Sequence, residues 1–151
     1  MKNLVKILFV LLLFCPIKNL FGQDLNSSFK GAIPSLNHYR ALYFLDDSDT
    51  RKVRMTLRNI NNALEDPRLK GKVEIELVAF SDGYNLFKKS GNFENQLLEL
   101  QKKGVILAQC ENTLKERKVD KSTLFNFIGF VPSGNGEIII RGQEGWSIIH
   151  P

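Results

Sequence analysis

GVILAQCENTL, Gly104 to Leu114, is a short apolar run, Val105 to Ala108, entered from a glycine and left through Gln109, Cys110, Glu111, Asn112 and Thr113 into a charged segment reaching Arg117. A brief, continuously apolar run bounded by turn signals suits a strand buried on both faces, and the charged segment after it suits a helix. Working upstream, Asn92 to Lys103 places Phe93, Leu97 and Leu100 on one helical face, opens with Asn92 and Glu94, and closes with Lys102 and Lys103 before Gly104. Val73 to Phe80 (VEIELVAF) begins by alternating and ends apolar, as a strand does when its far end is covered on both sides, and it stops at Ser81-Asp82-Gly83. From Ser48, the recurrence of Val53, Leu57, Ile60 and Leu64 predicts an amphipathic helix that Asp66-Pro67 ends. Arg40 to Asp46 (RALYFLD) reads as the first strand. Strands alternating with helices predict an α/β, doubly wound fold: a mainly parallel sheet of about five strands with right-handed crossovers and helices on both faces.

The N-terminus carries a different signal. Lys2 and Lys6 precede an unbroken apolar stretch, Ile7 to Cys15, and Pro16, Lys18 and Asn19 interrupt it well short of the ~20 residues a membrane-spanning helix needs. Residues 1–22 read as a signal peptide cleaved after Gly22, with an uncleaved N-terminal anchor as the alternative because Leu20 suits the cleavage motif poorly. Phe14 and Pro16 around Cys15 argue against lipid attachment. The expected address is exported, periplasmic or secreted, with no membrane association after cleavage. Residues 1–22 contain three lysines and no acid, so cleavage lowers the formal charge from +5 to +2. With no Lys/Arg run and interspersed charges in the remainder, nucleic-acid binding is not expected. Residues 23–39 are read as a polar leader or surface strap, and residues 40–151 as the domain. Removal of Cys15 leaves Cys110 as a lone cysteine: a free thiol, an intermolecular bond or an inert buried residue.

Towards the C-terminus, Leu124 to Val131 fits helix or strand by pattern, with its second half read as strand, and Pro132-Ser133-Gly134 ends it. Composition alone predicts a hairpin over Glu137 to Ile149, from the isoleucines at 138–140 and the turn residues Gly142 to Gly145. In open parallel sheets ligands bind beyond the carboxyl ends of the strands. Four such ends are legible: Asp46-Asp47, Ser81-Asp82-Gly83, Cys110 to Thr113, and Pro132-Ser133-Gly134. A thiol at a helix N-terminus is drawn towards the reactive thiolate by unpaired N–H groups, whereas the neighbouring Glu111 opposes it, so the sign of the net effect stays open. His38 and His150 are read as surface residues rather than partners of Cys110. Gly134-Asn135-Gly136 lacks the lysine and spacing of a phosphate cradle. No metal site and no cofactor are expected, and Trp146 is read as core or interface packing.

Three blocks carry a likeness: VAFSDG from Val78 to Gly83, GVILAQCENTL from Gly104 to Leu114, and VPSGNGEIIIRGQEGWSIIHP from Val131 to Pro151. In that order and spacing the chain resembles the DsrE/DsrF-like family, sulfur-handling domains of doubly wound α/β fold, over roughly Arg40 to Pro151. Ser81 stands where the family's loop usually carries histidine. The resemblance implies that Cys110 carries sulfur as a persulfide in a sulfurtransferase-type transfer between a donor and an acceptor protein, and that the protein forms a homo-oligomer such as a trimer or hexamer. It also replaces the hairpin by a helix over Gly134 to Glu144 leading to a strand at Trp146 to Ile149. The pocket around Cys110 would draw on Ser81, Asp82, Gly83, Asn112, Thr113, Pro132 and Ser133.

Two functions remain open at this level. One is an exported sulfur carrier with Cys110 as the catalytic residue; the other is a non-catalytic small-ligand-binding or assembly module in which the cysteine is incidental. An intersubunit disulfide through Cys110 is a third, weaker reading. The export signal makes a direct prediction: in a secretion-competent host the recovered protein begins at Gln23, as read by intact mass and N-terminal sequencing, and a chain retaining Met1 would count against it.

Overall fold

The computed structural model describes residues 27–151. The signal segment 1–22 lies outside the described residues, as do residues 23–26. Contacts divide the chain after Ile33, and the domain is the unit Pro34–Pro151.

Five strands and four α-helices alternate along this unit: β1 (Tyr39–Leu45), α1 (Thr50–Glu65), β2 (Val73–Ala79), α2 (Glu94–Lys102), β3 (Ile106–Cys110), α3 (Glu111–Glu116), β4 (Gly129–Val131), α4 (Gly134–Gln143) and β5 (Ser147–Ile149). All strand pairs are parallel and the order is β4-β3-β2-β1-β5. The doubly wound α/β architecture read from the alternation is therefore the fold. The longest ladder joins β1 to β2 in register from Tyr39 opposite Val73 to Leu45 opposite Ala79. Strand 1 begins one residue earlier than its sequence suggests. Strand 3 runs two residues further, so Cys110 is its last residue and also caps α3.

Local chemistry accounts for the helix ends. Asp49, rather than Ser48, starts α1: its Oδ1 accepts the N–H groups of Arg51 at 2.7 Å and Lys52 at 3.2 Å. Asn92 does not cap α2. Phe93 holds that position without a side-chain cap, and its ring lies 5.7 Å from the Arg54 guanidinium instead. A 3-10 segment, Ser81–Phe87, follows β2 and had no counterpart in the sequence reading. Within it Gly83 passes so close to β1 that an added Cβ would stand 2.1 Å from the Leu45 carbonyl oxygen, which excludes any other residue there.

Strand alternation sorts the side chains into two cores. On one face Ala41, Tyr43, Leu45, Ile75, Leu77 and Leu107 pack under Val53, Leu57 and Ile60 of α1, Leu97 and Leu100 of α2, and Leu114 of α3. On the other, Leu42, Val78 and Ala108 pack with Trp146 and with Ile138 of α4. The hairpin that composition suggests over Glu137 to Ile149 is thus overturned. Ser133 Oγ accepts the Gly136 N–H at 3.2 Å and the Ser133 carbonyl accepts the Glu137 N–H at 3.0 Å, which starts a helix, and packing of the half-buried Ile138 against the second core outweighs the strand propensity of the isoleucines. Ile139 and Ile140 stay exposed.

Helix α4 is also fixed by charge. Glu76 on β2 is 1% exposed, and Arg141 Nε reaches its Oε2 at 2.8 Å and Glu137 Oε1 at 2.9 Å. The same guanidinium lies 4.2 Å from the Trp146 ring centroid. Burial, then the neighbouring Glu137, raise the Glu76 carboxyl above its ordinary value, and Arg141 opposes them. Removing one partner of a buried pair strands the other, so Arg141→Met is expected to cost about 3 kcal/mol of stability. The sign with pH follows from the raised value: the folded state holds the Glu76 proton better than the unfolded chain, so stability falls as pH rises through the raised value. Loss of Arg141 widens that window upwards. Urea unfolding of wild type and Arg141→Met between pH 4 and 8 should therefore show a deficit that grows with pH.

Candidate functional site

Helices α1 to α3 lie on one face of the sheet and α4 on the other, so the connections leaving β3 and β4 part in opposite directions. The gap between the carboxyl ends of those neighbouring strands is the place where an open α/β sheet forms a crevice. A cavity of about 210 Å³ sits there, lined by Phe80, Ser81, Cys110, Asn112, Thr113, Glu116, Arg117, Ser133, Gly134 and Asn135. Of the sequence-predicted site residues, the structure brings Ser81, Cys110, Asn112, Thr113 and Ser133 to its wall. Asp82, Gly83 and Pro132 stand behind it: Asp82 binds Arg117, Gly83 packs against β1, and the Pro132 carbonyl accepts the Asn112 N–H at 3.3 Å. The first strand end takes no part. Asp46 contacts His150 Nε2 at 3.1 Å, and that imidazole stacks on Phe44 at 4.3 Å. His38 contacts Glu74 at 3.4 Å, so neither histidine lines the cavity.

Cys110 is a free thiol, 4% exposed. Burial by itself would raise its pKa. The nearby backbone N–H and hydroxyl of Thr113 and the N–H groups of Gly134 and Asn112 favour the charged sulfur, together outweigh burial, and hold the thiol below the ordinary cysteine value. The sign left open by sequence is therefore decided towards thiolate. Glu111 does not oppose it, because its carboxylate is turned to Lys121, whose hydrogen bond lowers the carboxyl's own pKa.

The cradle around the sulfur is set by backbone geometry. The Ser81 N–H donates to Thr113 Oγ1 at 3.0 Å, which occupies an oxygen lone pair and leaves the hydroxyl hydrogen for the sulfur. Ser81 holds this position at φ +48°, a left-handed conformation that a non-glycine residue adopts only under tertiary constraint. Gly134 delivers its N–H from the start of α4. A Cβ there would lie 2.7 Å from Phe80 Cδ1, so any side chain would push the helix start off the sulfur.

Sequence reasoning missed Phe80, Glu116, Arg117 and Asn135 on the cavity wall, and placed Gly134 at a strand end without assigning it to the pocket. The spacing of Thr113 and Arg117, four apart, places them on one helical face but says nothing of the loop that holds the guanidinium. Among the described residues no group of three or more His, Cys, Asp or Glu could hold a metal, and no helix is long and apolar enough to cross a membrane.

A parallel, doubly wound domain that presents a hydrogen-bonded thiol in a polar cavity at the sheet's switch point defines a class of thiol-bearing α/β proteins. Residues 29–151 match the DsrE/DsrF-like family, and the chain belongs to it. Among solved structures it is similar to MTH1491 from Methanobacterium thermoautotrophicum, a protein of unknown function, at 33% identity and TM-score 0.70, covering 75% of this chain and 99% of that one. The fold is shared with BT1422 of Bacteroides thetaiotaomicron, also of unknown function, at 15% identity and TM-score 0.61 over 74% and 94% of the two chains. It is shared too with the ychN protein of E. coli, at 11% identity and TM-score 0.60 over 77% and 100%. No curated protein matches the chain.

The cradle predicts a pH profile. In wild type the alkylation rate of Cys110 by iodoacetamide should rise with a midpoint below that of free cysteine. Thr113→Val removes the hydroxyl donor and should move the midpoint up towards the ordinary value of about 8.5. An unshifted midpoint would show that the hydroxyl does not act on the sulfur.

Proposed function

We propose that this protein is an exported sulfur carrier of the sulfurtransferase type, working in the periplasm or outside the cell, that holds a persulfide on Cys110. The observation that carries the reading is a buried free thiol on the wall of a polar cavity that Thr113, Gly134 and Asn112 also line, their N–H groups and the Thr113 hydroxyl favouring its charged form. Such donors stabilise an anionic sulfur and cost little reorganisation, because the fold already fixes them. The Cys110 thiolate attacks the sulfane sulfur of a donor, an S–S bond forms at Cys110, and the donor's own S–S bond breaks with the electron pair leaving on the donor. An acceptor thiolate, supplied by a partner protein or small thiol, then attacks the outer sulfur and releases Cys110 as thiolate. No cofactor, metal or external oxidant enters this exchange.

The same reading takes the protein as a homo-oligomer, a trimer or hexamer. In support, α4 exposes Ile139 at 64% and Ile140 at 55%, on the sheet face where Ile106 and Ile148 are also exposed. Burial of Cys110 sets aside an intersubunit disulfide, which needs the two Cβ atoms within about 4.5 Å.

Treatment of the purified protein with inorganic polysulfide should add sulfur atoms to wild type and none to Cys110→Ala, read by intact mass, and a reductant should remove them. A wild type that takes up no sulfur would leave the non-catalytic ligand-binding module as the function of this fold.

A further inference from the structure

We propose that Arg117 makes the Cys110 cavity selective for small dianionic sulfane-sulfur donors of the inorganic polysulfide kind over neutral thiol reagents. The inference rests on Cys110 being the group that takes the sulfur, and it adds what delivers it. Two charged residues line the cavity, Glu116 and Arg117. Three contacts hold the guanidinium at the wall: Nη1 lies 2.8 Å from Asp82 Oδ1, Nη2 lies 3.5 Å from Ser81 Oγ, and the group stands 5.7 Å from the Tyr84 ring centroid. A guanidinium has five N–H donors in a planar fork, so one carboxylate contact leaves donors for a second anion.

The chemistry requires such a cation. The Cys110 thiolate and a polysulfide dianion repel, and the donors around the sulfur are already committed to the thiolate. When the thiolate attacks the terminal sulfur, a new S–S bond forms at Cys110 and the adjacent S–S bond of the polysulfide breaks. The shortened polysulfide leaves as a dianion with the electron pair, and Cys110 keeps one sulfur as a persulfide anion. Charge is conserved, no proton moves, and no external oxidant is used. The negative charge that gathers at the reacting atoms lies in the cavity that Arg117 also lines. Without it the nearby charges are the carboxylates of Glu116 and Asp82, and an anion is repelled. The cavity volume of about 210 Å³ admits a small ion.

A matched pair of alkylating probes isolates this effect from sulfur transfer: iodoacetate is anionic and iodoacetamide neutral. The ratio of their rates at Cys110 is measured for wild type, Arg117→Gln and Arg117→Lys, alongside sulfur uptake from sodium tetrasulfide. Arg117→Gln should lower the ratio by about tenfold, the low end of electrostatic steering in a charged cleft. Arg117→Lys should restore most of it, and added salt should lower it in wild type. Uptake from tetrasulfide should slow in Arg117→Gln in the same order. An unchanged ratio in Arg117→Gln overturns the inference, and sulfur uptake by wild type would then leave the carrier reading standing. A ratio that falls while wild type takes up no sulfur overturns the carrier reading, and with it the sulfur identity of the anion.

Discussion

The return of the chain across the sheet after β4 is the constraint on which the site depends. Strands β1 to β4 step outwards in one direction, and β5 must pair beside β1, so α4 has to cross the second face of the sheet. That crossing divides the connections after β3 and β4 and opens the crevice between them. It is held by a small apolar contact, Ile138 on Leu42, Val78 and Ala108, and by the pairing of Arg141 with the buried Glu76. The cost of desolvating Glu76 is offset by a cation that also lies against Trp146, so helix, sheet and last strand meet at one guanidinium. The same helix begins at Gly134, whose N–H reaches Cys110.

Most of what acts on the sulfur is main chain. Thr113 and Gly134 contribute N–H groups, Asn112 less because its N–H is given to the Pro132 carbonyl, and the side chains at these positions matter chiefly by what they permit. Gly134 permits the approach of Phe80, and Thr113 adds a hydroxyl oriented by the Ser81 N–H. Ser81 replaces a histidine usual in that loop of the resembling family, yet it serves here through its backbone, in a left-handed conformation. A role for an imidazole at that place is therefore absent from this chain, and the cation that lines the thiol's cavity is Arg117.

Under the proposed export, a lone thiol would be prone to mixed disulfides. Burial of Cys110 in the wall of a small cavity bears on that hazard, because it limits the thiols that reach the sulfur. The surroundings that lower the thiol's pKa also reduce the intrinsic nucleophilicity of the thiolate, so the arrangement favours a thiolate that reacts selectively over one that reacts widely.

By itself the sequence determined the alternation of strands and helices, because buried runs such as Val105 to Ala108 and the helical spacing of Val53, Leu57 and Ile60 are local patterns. It also placed Cys110 at the end of β3, and motif likeness rather than propensity turned the isoleucines at 138–140 into a helix. Only the tertiary structure decided the state of the thiol. Its donors come from residues separated along the chain, Asn112 and Thr113 on one side and Gly134 on the other, and burial competes with all of them. Arg117 became part of the site for the same reason: its partners Asp82 and Ser81 lie on the loop after β2, and nothing in a local pattern states that the sheet brings that loop beside α3.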